Sequence, residues 1–259
     1  MLIDLHNHTA LCNHATGTIE EYVQSAVSNK IDIFGFSDHA PMNFDQSYRM
    51  GFHEMESYKH EVLHVQEKYA SQIEILFAYE VDFLEGYMDE RVLQADVDYL
   101  IGSVHYLGNW GFDNPEFIGE YAHQDINKIW ERYFEAIEAM AKSHLFDIVG
   151  HLDLIKVFNF LPTKAVKVIA NNALKEIKKS NMTIEINAAG LRKPIGEQYP
   201  SSSLMELIAE LDIPITFGSD AHSVEQIGFQ QEALRAFAKS YGYKKCATFK
   251  NRERIMVNF

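Results

Sequence analysis

Ile31-Asp32-Ile33-Phe34-Gly35-Phe36-Ser37-Asp38-His39 is a short, almost unbroken apolar run that closes on three polar residues. Rich in Ile and Phe and without the alternation of a half-exposed strand, it suits a β-strand covered on both faces, as in a parallel sheet clad by helices. Six further runs share this make-up: Leu2 to His6, Ile73 to Val81, Val97 to Val104, Asp147 to His151, Met182 to Asn187 and Ile213 to Ser219. Helical pattern fills the intervals. Met55, Tyr58, Val62, Val65 and Tyr69 recur at three and four residues, as do Ile126, Ile129, Tyr133, Ile137 and Met140, and each set makes one core-facing stripe. Pro162-Thr163 predicts a helix entry ahead of Val166, Ile169, Ala170, Ala173 and Ile177, and Ser203 with Glu206 predicts a capping box before Leu207 and Leu211. With no internal repeat and no Gly/Ser/Pro-rich linker, one domain over residues 1–259 is expected. Seven strand–helix units suggest a closed or nearly closed barrel, with an open doubly wound sheet as the alternative.

Composition narrows the function classes. Lys plus Arg is 23 against 37 Asp plus Glu, a net charge of −14, and no basic run forms a groove for nucleic-acid phosphates. The Lys175 to Lys179 cluster reads as a solvated helix face. Cys12 and Cys246 are too few for a disulfide framework, which points to a reducing compartment. Met1-Leu2-Ile3-Asp4 leads straight into histidines rather than a secretory leader, and no apolar run approaches the roughly 20 residues of a membrane span. A cytoplasmic protein with a small-molecule substrate, and neither nucleic acid nor membrane as partner, is therefore expected. Twelve His beside the acids make a generous stock of metal ligands.

Those ligands gather at the strand ends. The first run finishes Asp4-Leu5-His6-Asn7-His8, where His6 and His8 are two apart and project to one side of an extended chain. The others finish Ser37-Asp38-His39, Glu80-Val81-Asp82, Ser103-Val104-His105, Gly150-His151-Leu152-Asp153 and Ser219-Asp220-Ala221-His222. Any one of these could be an ordinary hydrogen-bonded residue, and Asp38 a helix cap or a support for a neighbouring ligand. Structural accidents, however, have no reason to favour the same end of successive strands. His6, His8, His14, His39, His105, His151 and His222 with Glu80 and Asp220 are too many for a single ion that keeps a position open for substrate. Two or three metals are implied, and imidazole with carboxylate suits Zn²⁺, Mn²⁺ and Fe²⁺ alike.

Asp4-Leu5-His6-Asn7-His8, His14, Ser37-Asp38-His39, Glu80, His105, Gly150-His151 and Ser219-Asp220-Ala221-His222 resemble the motifs of the polymerase and histidinol phosphatase (PHP) superfamily over the whole chain. Gly150 to Asp153, the stretch Asn187-Ala188-Ala189-Gly190-Leu191-Arg192-Lys193-Pro194 and Tyr199-Pro200-Ser201 resemble its histidinol-phosphate phosphatase branch. The resemblance implies a distorted (β/α)7, TIM-like barrel holding three divalent ions. It implies that His6, His8, Glu80 and Asp220 hold the first, that Glu80 bridges to a second held by His105 and His151, and that His14, His39 and His222 hold the third. Glu80, His105, Asp220 and His222 would be the residues of catalysis, and a hydroxide bridging two ions would attack the phosphorus of L-histidinol phosphate. Arg192 is expected to bind the phosphate in bidentate fashion and Lys156 to be a second phosphate contact, while Asp82, Asp153 and Glu197 are carboxylates available to the cationic end of the substrate.

His60-Glu61-Val62-Leu63-His64 matches the two-histidine zinc-protease pattern, but the stripe through Tyr58, Val62 and Val65 leaves both histidines on a solvent-facing flank. Cys12 reads as a passive loop residue close to the metals. Trp110 and Phe112 read as core aromatics or as a wall over the substrate. The rival functions are the same chemistry on a nucleotide, sugar phosphate or other phosphomonoester, and a non-catalytic metal-binding scaffold. Nine correctly typed ligands disfavour the scaffold.

Overall fold

The computed structural model describes residues 1–259. Strands β1 (Ile3–Asp4), β2 (Ile33–His39), β3 (Glu74–Asp82) and β4 (Tyr99–Ser103) are followed by a small hairpin of β5 (Tyr106–Leu107) and β6 (Trp110–Gly111). Then come β7 (Ile148–Val149), β8 (Thr183–Asn187), β9 (Ile215–Gly218) and a last hairpin of β10 (Lys245–Lys250) and β11 (Glu253–Asn258). Seven of these form one sheet in the order β1-β2-β3-β4-β7-β8-β9, every pair parallel. The sheet curls until its edges meet: Leu5 N–H donates to Phe217 O at 2.9 Å, Asp220 N–H to His6 O at 2.8 Å and His8 N–H to Ala221 O at 3.0 Å. Asp4 rivets this seam, its carboxylate accepting from the backbone and hydroxyl of Ser219 and from Gly228 N–H. The barrel predicted from pattern is therefore present, and the open sheet is not.

The central strand interiors are buried throughout, as their unbroken apolar character requires. Inside the barrel Tyr99 reaches across to donate to Leu5 O at 2.5 Å, and it passes over Gly35, where a Cβ would stand 1.8 Å from the phenolic oxygen. Only glycine leaves room for that crossing.

Outside lie α1 (Ile19–Ser28), α2 (Met55–Tyr69), the single turn α3 (Glu90–Leu93), α4 (Ile126–Ser143), α5 (Val166–Lys179), α6 (Ser202–Glu210) and α7 (Gln231–Ser240). On α2 the buried residues are Tyr58, Val62, Val65 and Tyr69, so His60 and His64 are exposed, in agreement with the expected stripe. Two predicted helix starts differ. Pro162 is in irregular chain and Thr163 in a bend ahead of α5, where Thr163 N–H and hydroxyl bond the Asn127 side chain on α4. Ser203 sits inside α6, which begins at Ser202; the N-cap is Ser201, with no side-chain cap bond, and Glu206 pairs with Lys167 instead. No helix is long and apolar enough to cross a membrane.

The β10–β11 hairpin covers the amino-terminal end of the barrel. Arg252 bonds Asp147 and Leu145 O, and its N–H donates to Asp98 O; Arg254 bonds Asn181. All of these partners lie just ahead of a strand. The opposite end stays open.

Candidate metal centre

Eight of the predicted ligands stand at or just beyond the carboxyl ends of the strands and His14 in the loop that follows β1, and all nine gather at one cavity of about 530 Å³ or beneath it. Glu80, fully buried near the end of β3, is the hub. Its Oε2 lies 3.4 Å from His6 Nε2, 3.7 Å from His8 Nε2 and 3.0 Å from His39 Nδ1, and its Oε1 lies 2.8 Å from His151 Nε2 and 3.7 Å from His105 Nε2. One carboxylate thus turns an oxygen to each of two imidazole groups. Asp220 approaches from the far side of the seam, with Oδ1 3.2 Å from His8 Nε2 and 4.0 Å from His6 Nε2. Its backbone is left-handed (φ +54°), a conformation Asp tolerates better than most residues. Nearer solvent, the ring nitrogens of His14, His39 and His222 fall within 4.8 Å of one another.

A second layer of carboxylates orients these rings. His6 Nδ1 donates to Glu185 Oε1 at 2.8 Å, which leaves Nε2 as the free lone pair. Glu185 Oε2 accepts from His151 N–H at 2.8 Å and Asn187 Nδ2 at 3.0 Å, so one side chain positions two of the predicted ligands. Gly218 makes the space: a Cβ there would stand 1.9 Å from Glu185 Oε1 and 2.6 Å from His6 Cβ. His105 Nδ1 donates to Asp82 at 2.6 Å, and Asp82 is held from behind by Arg49 at 2.7 Å. Asp38, rather than capping a helix, lies 3.4 Å from His8 Nδ1 and accepts from Thr9 and from His39 N–H. Imidazole–carboxylate pairs of this kind fix the tautomer of a metal ligand.

The carboxylates of the cluster favour positive charge among the imidazoles. Burial disfavours a proton on His105, yet Asp82 and Glu80 outweigh it and push this imidazole up to about 10; burial is likewise outweighed at His8, which Asp220 and Asp38 push up to about 9. His39 goes the other way, to about 4, through burial and the neighbouring His8. His6 Nε2, His8 Nε2, His39 Nδ1 and Glu80 Oε2 are buried without a hydrogen-bond partner. An orphaned buried polar atom costs about 1–3 kcal/mol, and four of them converge here. Nitrogen and carboxylate donors with free lone pairs aimed at shared points fit divalent cations.

The remaining predicted residues divide. Arg192 lines the cavity; its Nη2 donates to Ser219 O and Asp220 O, both at 2.8 Å, while Nη1 is buried and unpartnered. Lys156 does not line it. Although Lys is rarely buried, Lys156 is only 1% exposed, with Nζ spent on Asp153 at 3.1 Å, Glu197 at 2.7 Å and Gln198 O at 2.8 Å, which corrects the phosphate contact expected of it. Lys156 and Ser201 N–H take Asp153 Oδ2 while its Oδ1 is buried and unpartnered, and neither Asp153 nor Glu197 lines the cavity; Asp82 does line it, but Arg49 and His105 occupy its two oxygens. Cys12 is buried, its thiol donating to Thr9 O, with the sulfur among the ring nitrogens of His8 and His222. Phe112 is core and Trp110 packs beside it; the aromatics that line the cavity are Tyr48, Tyr106, Phe117 and Tyr199. Glu185 was not foreseen, although an acid inside the apolar strand Thr183–Asn187 is a legible signal. Arg49 carried none, for it lies in a loop.

A parallel barrel with a carboxylate-bridged histidine cluster at its open end defines a metal-binding α/β barrel protein. The PHP domain family profile matches residues 4–189, and the chain belongs to that family. It is 38% identical to a Deinococcus radiodurans protein named "Probable histidinol-phosphatase", across 97% of this chain and 98% of that one. It is 27% identical to the histidinol-phosphatase of Bacillus subtilis, across 89% and 97%. The fold is shared, with a TM-score of 0.81 at 20% identity and 98% coverage of both chains, by histidinol phosphate phosphatase of Lactococcus lactis, solved in complex with Zn, L-histidinol and phosphate.

Proposed function

We propose that the protein is a metal-dependent phosphomonoesterase that hydrolyses L-histidinol phosphate to L-histidinol and phosphate. The observation that carries this reading is the convergence of unpartnered lone pairs around Glu80, with Arg192, whose Nη1 is buried and unpartnered, lining the same cavity. His6, His8, Glu80 and Asp220 would hold one divalent ion, Glu80, His105 and His151 a second, and His14, His39 and His222 a third, with zinc, manganese and iron all suited to the donors. Such ions supply an activated water and neutralise charge on a phosphoryl group. The chain's own residues do the positioning: Glu185 and Asp82 keep His6 and His105 in the tautomer that frees Nε2, and Arg192 offers a second N–H group to an anion. The names of the relatives support the substrate, and the absence of a basic groove supports a small phosphate ester over a polynucleotide.

Phosphate release from L-histidinol phosphate, compared with a panel of nucleotide and sugar monoesters before and after exhaustive chelation, tests the reading. Hydrolysis should favour L-histidinol phosphate and cease on chelation, returning with Zn²⁺, Mn²⁺ or Fe²⁺. Full activity after chelation, or a preference for another ester, would overturn it.

A further inference from the structure

Five carboxylates line the cavity: Asp45, Glu80, Asp82, Asp113 and Asp220. Four are committed, Glu80 and Asp220 to the imidazole cluster, Asp82 to Arg49 and His105, and Asp45 to the hydroxyl of Tyr106. Asp113 differs, because the hydrogen bond at its carboxylate comes from its own backbone.

Its place is set by the chain, not by chance. After His105 the backbone turns through the β5–β6 hairpin, with Gly108 at φ +69°, and returns so that Phe112 N–H donates to His105 O at 3.3 Å. Phe112 is fully buried with its ring edge-on to Tyr133, and Asn114 caps the following turn through Glu116 N–H at 2.9 Å. Asp113 is thus anchored on both sides and held beside a cluster histidine. We infer that Asp113 is a specificity-determining residue that binds the ammonium group of the substrate. This rests on the proposed function, and chemistry favours the ammonium over the imidazole. The ammonium nitrogen is four bonds from phosphorus, so its partner must stand next to the phosphate-binding cluster, whereas the imidazole extends further toward the rim where Phe117 lies.

The test is a ratio of kcat/KM for L-histidinol phosphate to that for its des-amino analogue, 3-(imidazol-4-yl)propyl phosphate. The wild type should prefer the amine, and Asp113→Asn should cut the ratio by about tenfold to a hundredfold, the range of a charge-assisted hydrogen bond. Asp113→Glu should keep more of the preference than Asp113→Asn. Both rates come from one sample, so a smaller folded fraction leaves the ratio unmoved. A ratio kept at the wild-type value in Asp113→Asn, or equal losses on both esters, overturns the inference alone. A wild type that leaves L-histidinol phosphate intact overturns the proposed function and this inference with it.

Discussion

Replacing Glu185 by Gln removes one acceptor from a side chain that serves three donors. At 2.8 Å from Oε1 is His6 Nδ1, and at 2.8 and 3.0 Å from Oε2 are His151 N–H and Asn187 Nδ2. An amide nitrogen placed at the Oε2 position would face two donors. Asn187 cannot flip to relieve this, because its Oδ1 accepts from Ala189 N–H at 2.8 Å and its Nδ2 also serves Asp220. Each donor left unsatisfied costs about 1–3 kcal/mol. Placed at the Oε1 position, the amide forces His6 to accept at Nδ1 and so moves its proton to Nε2, the atom aimed at Glu80. The second arrangement is cheaper in stability but takes away a ligand lone pair. Glu185→Gln should therefore weaken metal affinity by about 10- to 100-fold, equivalent to about 1.4–2.7 kcal/mol. Chelator-competition titration of the metal-free variant with Zn²⁺ reads this directly. Wild-type affinity in Glu185→Gln would refute the argument that this carboxylate sets the His6 tautomer.

Arg192→Ala should lower kcat/KM for phosphate esters by about 10- to 100-fold with metal content retained, because the lost interaction is a charge-assisted hydrogen bond to the ligand; loss of metal on elemental analysis would contradict that role. Lys156→Met leaves the buried Asp153 without its cation and should cost about 3–5 kcal/mol, lowering Tm by roughly 6–20 °C in thermal unfolding; an unchanged Tm would show that the buried pair contributes nothing. In metal-free protein, His8 and His105 hold protons up to about 9 and about 10, above the unfolded value near 6.5, so the stability they contribute is full below about pH 6.5 and lost as pH rises through 9 to 10. Tm after chelation should fall across that window, and metal addition at neutral pH should release protons measurable by calorimetry in buffers of different ionisation enthalpy. A Tm that rises from pH 6.5 to 10 would show that the neighbouring carboxylates do not hold those protons.

The strands were legible because they are buried on both faces, which makes each a compact apolar run, and because chemistry gathers at one end of every barrel strand. Their lengths were not legible. β1 and β7 keep regular pairing for two residues each, since the backbone beyond them turns to aim His6, His8 and His151 inward. The last hairpin escaped notice because charged residues bracket short apolar stretches, Cys246 to Phe249 and Ile255 to Val257, and the chain turns on Asn251-Arg252, without the glycine that advertises a tight turn. Lys156 misled for a similar reason: a lysine near a strand end looks like an anion contact, and only the fold shows Asp153 and Glu197 closing round it. Glu185 and Arg49 act through other side chains, and such partnerships span 179 residues in one case and 33 in the other, beyond the reach of local pattern.

The seam between the first and last barrel strands joins Asp4 to Ser219 across 215 residues of chain. The chain must therefore be synthesised past Ser219 before this cylinder can shut, and until then one edge of its first strand stays unpaired. His6 belongs to one lip of that gap and Asp220 to the other. A cation gripped by both would act as a clasp, so that the shut cylinder and the loaded site would each favour the other.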